Sequence, residues 1–305
     1  MPRDLADVLH YFLPEIDPDT EKTRSTPTTA PLEAAAPLEA AAPLEDTTPL
    51  DPPTLEAVGT PATEARHRNT TNPATARPLP ILGLPIGERD VVRSALAWNL
   101  AIETSRLGAS TLIVTPSSDR GSPLWPEPGP GPLGTELIFS PVTDLDSLYR
   151  VASELAQTRT DQSRRGGVVF VRIPPAWLTR DAALENPIRW LLLLTSSNRR
   201  DLKEAYDLAR NVFAANPNAE IGVTIHGVTT IAEAKNAFEY LSRISLDELG
   251  LVLASYGLLV DDLHVYRAIA AQRPIGLAHP QAPATRALMD VARLLYEDAR
   301  SRFLG

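Results

Sequence analysis

The sequence predicts an α/β protein built on a doubly wound, mostly parallel sheet, preceded by a short helix and a Pro/Ala-rich tether. Three observations carry this prediction. From Pro80 onward, short apolar runs alternate with amphipathic stretches, the pattern of successive strand–helix units. Runs such as Val168-Val169-Phe170-Val171 and Leu191-Leu192-Leu193-Leu194 are apolar at every position, as strands covered by helices on both faces must be. Finally, 14 of the 29 prolines fall within residues 1–80, where Gly59 is the only glycine. That composition separates the start of the chain from its body.

The chain therefore divides into a short amphipathic docking helix (1–14), a disordered Pro/Ala/Glu-rich linker (15–77) and an α/β body (78–305). In the first segment Leu5, Val8, Leu9, Phe12 and Leu13 recur at helical spacing, Asp4 favours the first turn and Pro14 ends it. Three turns do not stand alone in water. The stripe must dock, on the chain's own body or on a partner, and as an apolar stripe on a long tether it is read as a helix-in-groove ligand. In the linker, Ala30-Pro31-Leu32-Glu33-Ala34-Ala35 repeats as Ala36-Pro37-Leu38-Glu39-Ala40-Ala41 and again from Ala42 to Glu45. A proline every six residues interrupts any helix, and isolated leucines build no core.

In the body, strands are predicted at Pro80–Leu84, Thr111–Val114, Glu136–Phe139, Val168–Ile173, Trp190–Thr195, Glu220–Ile225 and Leu251–Ser255. Helices are predicted at Val91–Leu107, Leu145–Thr158, Asp201–Ala215, Ile231–Arg243, Leu263–Ala271 and Ala284–Phe303. A sheet of this kind holds its ligand at the carboxyl ends of its strands, so the loops after Leu84, Val114, Ile173 and Thr195 are where chemistry is sought.

Several function classes are excluded. The 305 residues contain no Cys, which removes disulfides, thiolate catalysis and iron–sulfur clusters. A net charge of −9 argues against broad nucleic-acid binding. The longest strongly apolar run, Ile188 to Leu194, is too short to cross a bilayer. No secretory signal pattern opens the chain, so a cytoplasmic protein is expected. The five histidines have no i,i+3 or i,i+4 partner, and no metal cluster is predicted. Gly129-Pro130-Gly131-Pro132-Leu133-Gly134 matches G-x-G-x-x-G. It precedes a strand instead of opening a helix after one, and it is read as a loop. In the last helix, Asp290, Glu297 and Asp298 offset Arg286, Arg293, Arg300 and Arg302. Its stripe of Leu288, Val291, Leu294, Leu295 and Ala299 is read as core packing, not as a membrane face.

The stretch from Ile81 to Leu107 resembles the opening of the MinD/ParA family of P-loop ATPases, particularly the branch that includes the flagellar-number regulator FlhG. That family opens with a strand, a G-K-G-G-V-G-K-T-T loop and a helix reading V-A-V-N-L-A. Here Gly87-Glu88-Arg89-Asp90-Val91-Val92-Arg93-Ser94-Ala95 stands for the loop and Leu96-Ala97-Trp98-Asn99-Leu100-Ala101 for the helix. The likeness continues through Thr111–Ser117, Thr135–Leu148, Val169–Pro175, Leu193–Ala209 and Leu258–Pro274, in the family's order.

The departures lie at the site that the resemblance implies. Arg89, Asp90 and Val92 replace loop glycines, and Glu88 and Arg93 replace its lysines; Ser94 alone keeps a hydroxyl suited to Mg²⁺. Glycines let successive N–H groups curl around phosphate, whereas Glu88 and Asp90 bring negative charge and Val92 a β-branched side chain. Thr115 and Ser117 replace the two acids after the second strand, and Arg172 replaces the aspartate that holds the metal. Two readings of the arginines stay open: Arg93 and Arg172 bind an anion together, or they pair with carboxylates such as Glu88, Asp90 or Asp119.

Together these residues imply a non-hydrolysing regulatory or scaffolding relative, with no catalytic residue and no metal. No cofactor is expected, ATP being the ligand of the alternative, a divergent ATPase rebuilt from Arg93, Ser94, Asp119 and Arg172. A third reading makes the body a passive display for the N-terminal helix. FlhG-type proteins can carry a leading D-Q-A-x-x-L-R motif; Asp4, Ala6 and Leu9 match it, while Leu5 and His10 depart. The resemblance thus implies a protein partner, an active MinD/ParA relative or a GTPase of the signal-recognition-particle class, met by the N-terminal helix, the body or both. No nucleic acid and no stable membrane insertion are expected.

Overall fold

The structure is a computed structural model that describes residue 3 and residues 77–117, 126–160, 166–178 and 187–304. The chain divides into two units, Met1–Pro14 with Thr75–Gly305, and Glu15–Ala74. Apart from Arg3, the predicted docking helix and the repeats of the linker lie outside the described residues, as does Asp119.

The body is an eight-stranded sheet flanked by helices. Its strands are β1 (Ile81–Pro85), β2 (Ser110–Pro116), β3 (Gly129–Pro130), β4 (Glu136–Ser140), β5 (Gly167–Ile173), β6 (Trp190–Thr195), β7 (Glu220–Val228) and β8 (Ala254–Val260). They lie in the order β3-β4-β2-β5-β1-β6-β7-β8. Every pairing is parallel except β3 with β4. All seven residues of β5 and all six of β6 are buried, as strands between two helical layers require.

The main helices are α1 (Val91–Arg106), α2 (Leu145–Thr160), α3 (Arg199–Ala215), α4 (Ile231–Leu249), α5 (Leu263–Ala270), α6 (Ile275–Ala278) and α7 (Pro283–Leu304). Helix α1 packs on α7 and β2, α7 also covers β8 and β5, and α2, α3 and α4 lie on β5, β6 and β7 respectively. Because α1 lies between sheet and helix, it is buried nearly all round: Leu96, Ala97, Trp98, Leu100, Ala101 and Ile102 are buried, and so are the polar Asn99, Glu103 and Thr104. Leu288, Val291, Leu294, Leu295 and Ala299 of α7 are buried too, so this stripe is core. Among the described residues no helix is long and apolar enough to cross a membrane.

The predicted strand Leu251–Ser255 is displaced: β8 runs from Ala254 to Val260. Gly250 closes α4 in the left-handed conformation (φ 67°), and Leu251 N–H returns to the Ser245 carbonyl. Leu251 and Leu253 are buried as part of this helix-ending connection, before the strand begins. The short elements β3 and α6 carry too few residues for a periodic signal. The G-x-G-x-x-G match forms β3 and a turn of 3₁₀ helix, Pro132–Gly134. Gly131 lies against the Trp98 indole, where an added Cβ would come within 2.5 Å of the ring.

Candidate functional site

The turn from Ile86 to Asp90 leaves the centre of the sheet, where β1 runs between β5 and β6. It is held by backbone hydrogen bonds, one to β5 and two of its own. Ile86 N–H donates to the Ile173 carbonyl (3.0 Å), Asp90 N–H to Gly87 (3.1 Å) and Val91 N–H to Arg89 (3.1 Å). Asp90 is the N-cap of α1: its carboxylate accepts from Arg93 N–H at 2.9 Å, and its carbonyl accepts from Ser94 N–H at 3.1 Å. An aspartate is favoured here because it supplies both an acceptor and a negative charge at the helix N-terminus. In a phosphate-binding loop the first amides of the helix serve the ligand; here the chain's own carboxylate takes the Arg93 N–H. Gly87 has φ outside the left-handed region, and nothing lies within 4 Å of a Cβ added to it.

The two arginines are held differently. Arg172, on β5, is 1% exposed, and its Nη2 donates to the Gly87 carbonyl at 2.7 Å. The guanidinium thereby ties the turn to the neighbouring strand. Arg93 points from the first turn of α1 into three carboxylates: Asp90 (3.3 Å), Asp201 (3.5 Å) and Glu204 (3.0 Å). Of the carboxylates expected from sequence, Asp90 is therefore a partner of Arg93, whereas Glu88 is exposed. The other two acids come from α3. Arg89 is also exposed, and Val92 is half-buried against the core. Ser94 and Thr115 are buried. Ser117 is turned to β4, donating to the Ser140 carbonyl at 2.9 Å.

Three residues of this cluster escaped sequence reasoning: Asp201, Glu204 and His226. Asn198 caps α3 by accepting from Asp201 N–H at 2.9 Å. Ser196 Oγ and Asn198 Nδ2 donate to the Asp201 carboxylate at 2.7 and 2.9 Å. Burial alone would raise the Asp201 carboxyl, but those two hydrogen bonds and the Arg93 charge outweigh it and hold it below the ordinary range. The i,i+3 pair Asp201 and Glu204, one turn into a capped helix, is the signal that was legible. His226, near the end of β7, has its Nε2 buried with no partner among the described residues. Burial first, then the Arg93 charge, push its imidazole down to about 4, against the pull of Asp90 and Asp201. Among the described residues no group of three or more His, Cys, Asp or Glu is placed to hold a metal ion.

His226 makes stability pH-dependent in a defined direction. Its folded pKa of about 4 lies below an unfolded value of about 6.5, so between them the unfolded chain binds more protons. Stability is full above pH ~6.5 and falls as pH drops toward ~4, by about 2 kcal/mol between pH 7 and pH 5 from this residue. In urea titrations at those two pH values, a His226→Gln variant is expected to lose less stability than the parent. Equal losses in the two proteins would contradict the assignment.

A central parallel strand that passes through a short turn into a buried helix, with the turn at the carboxyl ends of the strands, defines a doubly wound α/β fold with its candidate site at that turn. Its particular form is the MinD/ParA fold. The chain is similar to the MinD cell division protein of Aquifex aeolicus, with a TM-score of 0.52 and 15% identity over 71% of this chain and 96% of that one. It is similar also to a structure of the MinC:MinD cell division complex from the same organism (TM-score 0.51, 14% identity, 71% and 95% covered). A third is the septum site-determining protein MinD of Pyrococcus horikoshii, complexed with Mg-ADP (TM-score 0.50, 10% identity, 71% and 95% covered). These likenesses establish the fold. No protein-family model matches the sequence, and no curated protein matches it.

Proposed function

We propose that this protein is a non-hydrolysing relative of the MinD/ParA ATPases that acts through protein–protein contacts, as a regulator or scaffold in the spatial organisation of a bacterial surface or polar machine. The observation that carries this reading is the closed turn itself. The Asp90 carboxylate takes the Arg93 amide at the head of α1, and Arg172 secures the Gly87 carbonyl from the position where the family's metal-binding aspartate would stand. Mg-ATP does not fit these residues: the turn presents carboxylates to a polyanion, and a buried guanidinium stands in place of a metal ligand. The pairing of Arg93 with Asp90, Asp201 and Glu204 supports the ion-pair reading over a phosphate-binding one.

Protein partnership is supported by the fold's own precedent, since a MinD of this fold is found in a complex with MinC. The N-terminal apolar stripe and the body are the two surfaces proposed to meet a partner, an active relative of the same fold or a GTPase of the signal-recognition-particle class.

The test is a titration of Mg-ATP into the full chain, with thermal unfolding measured in parallel. No binding heat and no change in Tm at millimolar nucleotide are expected. A ligand at about 100 times its Kd would stabilise the folded state by about 2.7 kcal/mol, so micromolar binding would be plainly visible. Binding at that level, with Mg²⁺-dependent turnover, would replace the proposal with the rebuilt-ATPase reading.

A further inference from the structure

At the end of the sheet opposite the turn, a cavity of about 770 Å³ opens at the amino ends of β6, β7 and β8. Its apolar wall includes Trp190, Phe213, Pro217, Leu251 and Val252, and Val252 is 52% exposed. Arg3 also lines it, although 73 residues separate Arg3 from the next described residue, Arg77.

Arg3 is fastened there by both backbone and side chain. Its carbonyl accepts from Ser255 N–H at 2.8 Å. β8 is the last strand of the sheet, so this bond satisfies a donor on an otherwise open edge. The Arg3 guanidinium bridges to Asp298 of α7, with Nη2–Oδ1 at 2.7 Å and Nη1–Oδ2 at 3.2 Å.

Asp298 is an anchor prepared on the other side as well. Tyr256 OH donates to it at 2.6 Å, and Trp190 Nε1 donates to Tyr256 OH at 3.1 Å. The Tyr256 ring covers Gly222, where an added Cβ would run into it, and Arg302 stacks 4.5 Å from the centre of the Trp190 ring while bonding Glu220 at 2.9 Å. A receptor with its partners already in place loses little freedom on taking a ligand.

We propose that this cavity is the cis docking site of the chain's own N-terminal helix. The apolar stripe of Leu5, Val8, Leu9 and Phe12 lies against the floor of the sheet and is released only in competition with a partner. The argument for that occupant is continuity. The stripe begins two residues beyond the anchored Arg3, and a helix reaching from Arg3 to Phe12 would span about 14 Å, short enough to stay beside the cavity. A three-turn helix needs such a surface to persist, and the cavity offers Phe213, Pro217 and the exposed Val252 to its apolar stripe. The inference stands apart from the nucleotide reading, because it uses the opposite end of the sheet.

The experiment is hydrogen exchange followed by mass spectrometry on the full-length chain, reading residues 4–13. Protection is expected in the parent protein and a loss of about tenfold or more in Arg3→Glu, since an undocked helix this short exchanges as coil. The double variant with Asp298→Arg reverses the ion pair and is expected to restore protection, while the body's exchange stays unchanged in Arg3→Glu. No protection in the parent, or protection untouched by both Arg3→Glu and Val252→Asp, would overturn the proposal. Protection that grows as the protein is concentrated would overturn the cis assignment in favour of a second copy as host.

Discussion

Replacing Arg172 by alanine is expected to lower stability by about 3 kcal/mol, with Tm falling by about 6–12 °C. Two losses combine. The charge-assisted hydrogen bond to the Gly87 carbonyl disappears, which alone is worth about 1.5–3 kcal/mol. A cavity also opens at a side chain that is 1% exposed, in a strand with every residue buried. Arg172→Lys keeps the charge without the fork and should recover only part of the loss. Arg172→Asp is the informative member of the series. Restoring the acid that the MinD/ParA resemblance implies places an uncompensated carboxylate under the Asp90 turn, and it should be worse than alanine. Thermal and urea unfolding followed by circular dichroism measure all three. A Tm change below about 2 °C for the alanine variant would mean that Arg172 does not hold the turn.

Leu295→Asp is expected to leave the protein largely unfolded. Leu295 is fully buried in α7, whose inner face packs on α1, β5 and β8. An unpaired carboxylate there costs about 4 kcal/mol or more, against a total stability of about 5–15 kcal/mol for a typical domain. A membrane-binding helix would behave oppositely, since the variant would remain folded and lose only its affinity for lipid. Yield in the soluble fraction, the circular dichroism spectrum and co-sedimentation with anionic vesicles separate the two cases. A folded Leu295→Asp protein whose parent binds vesicles would refute the core assignment.

These two residues also mark how far the sequence could be read. The α7 stripe was visible because Leu288, Val291, Leu294 and Leu295 recur at the helical period, and the same period decides which face is buried. Arg172 was singled out because a cation interrupts an apolar strand at the position where the resemblance calls for an acid. Its role as a clamp on the Gly87 carbonyl was not legible, since that carbonyl lies 85 residues earlier in the chain. The strand at Leu251 was misplaced by a related difficulty: apolar residues that close a helix and those that open a strand look alike in a short window.

What the sequence determined by itself is local. The order of strands and helices follows from apolar spacing. Absence of cysteine closed off thiol chemistry outright. The tertiary structure alone decided the company that Arg93 keeps. Asp201, Glu204 and His226 reach it only because β1, β6 and β7 lie in one sheet, and Glu204 is 111 residues away along the chain. Arg3 meets Asp298 across 295 residues for the same reason. Period and capping act over a few residues and are written in order, whereas ion pairs form wherever packing leaves opposite charges adjacent with little water between them.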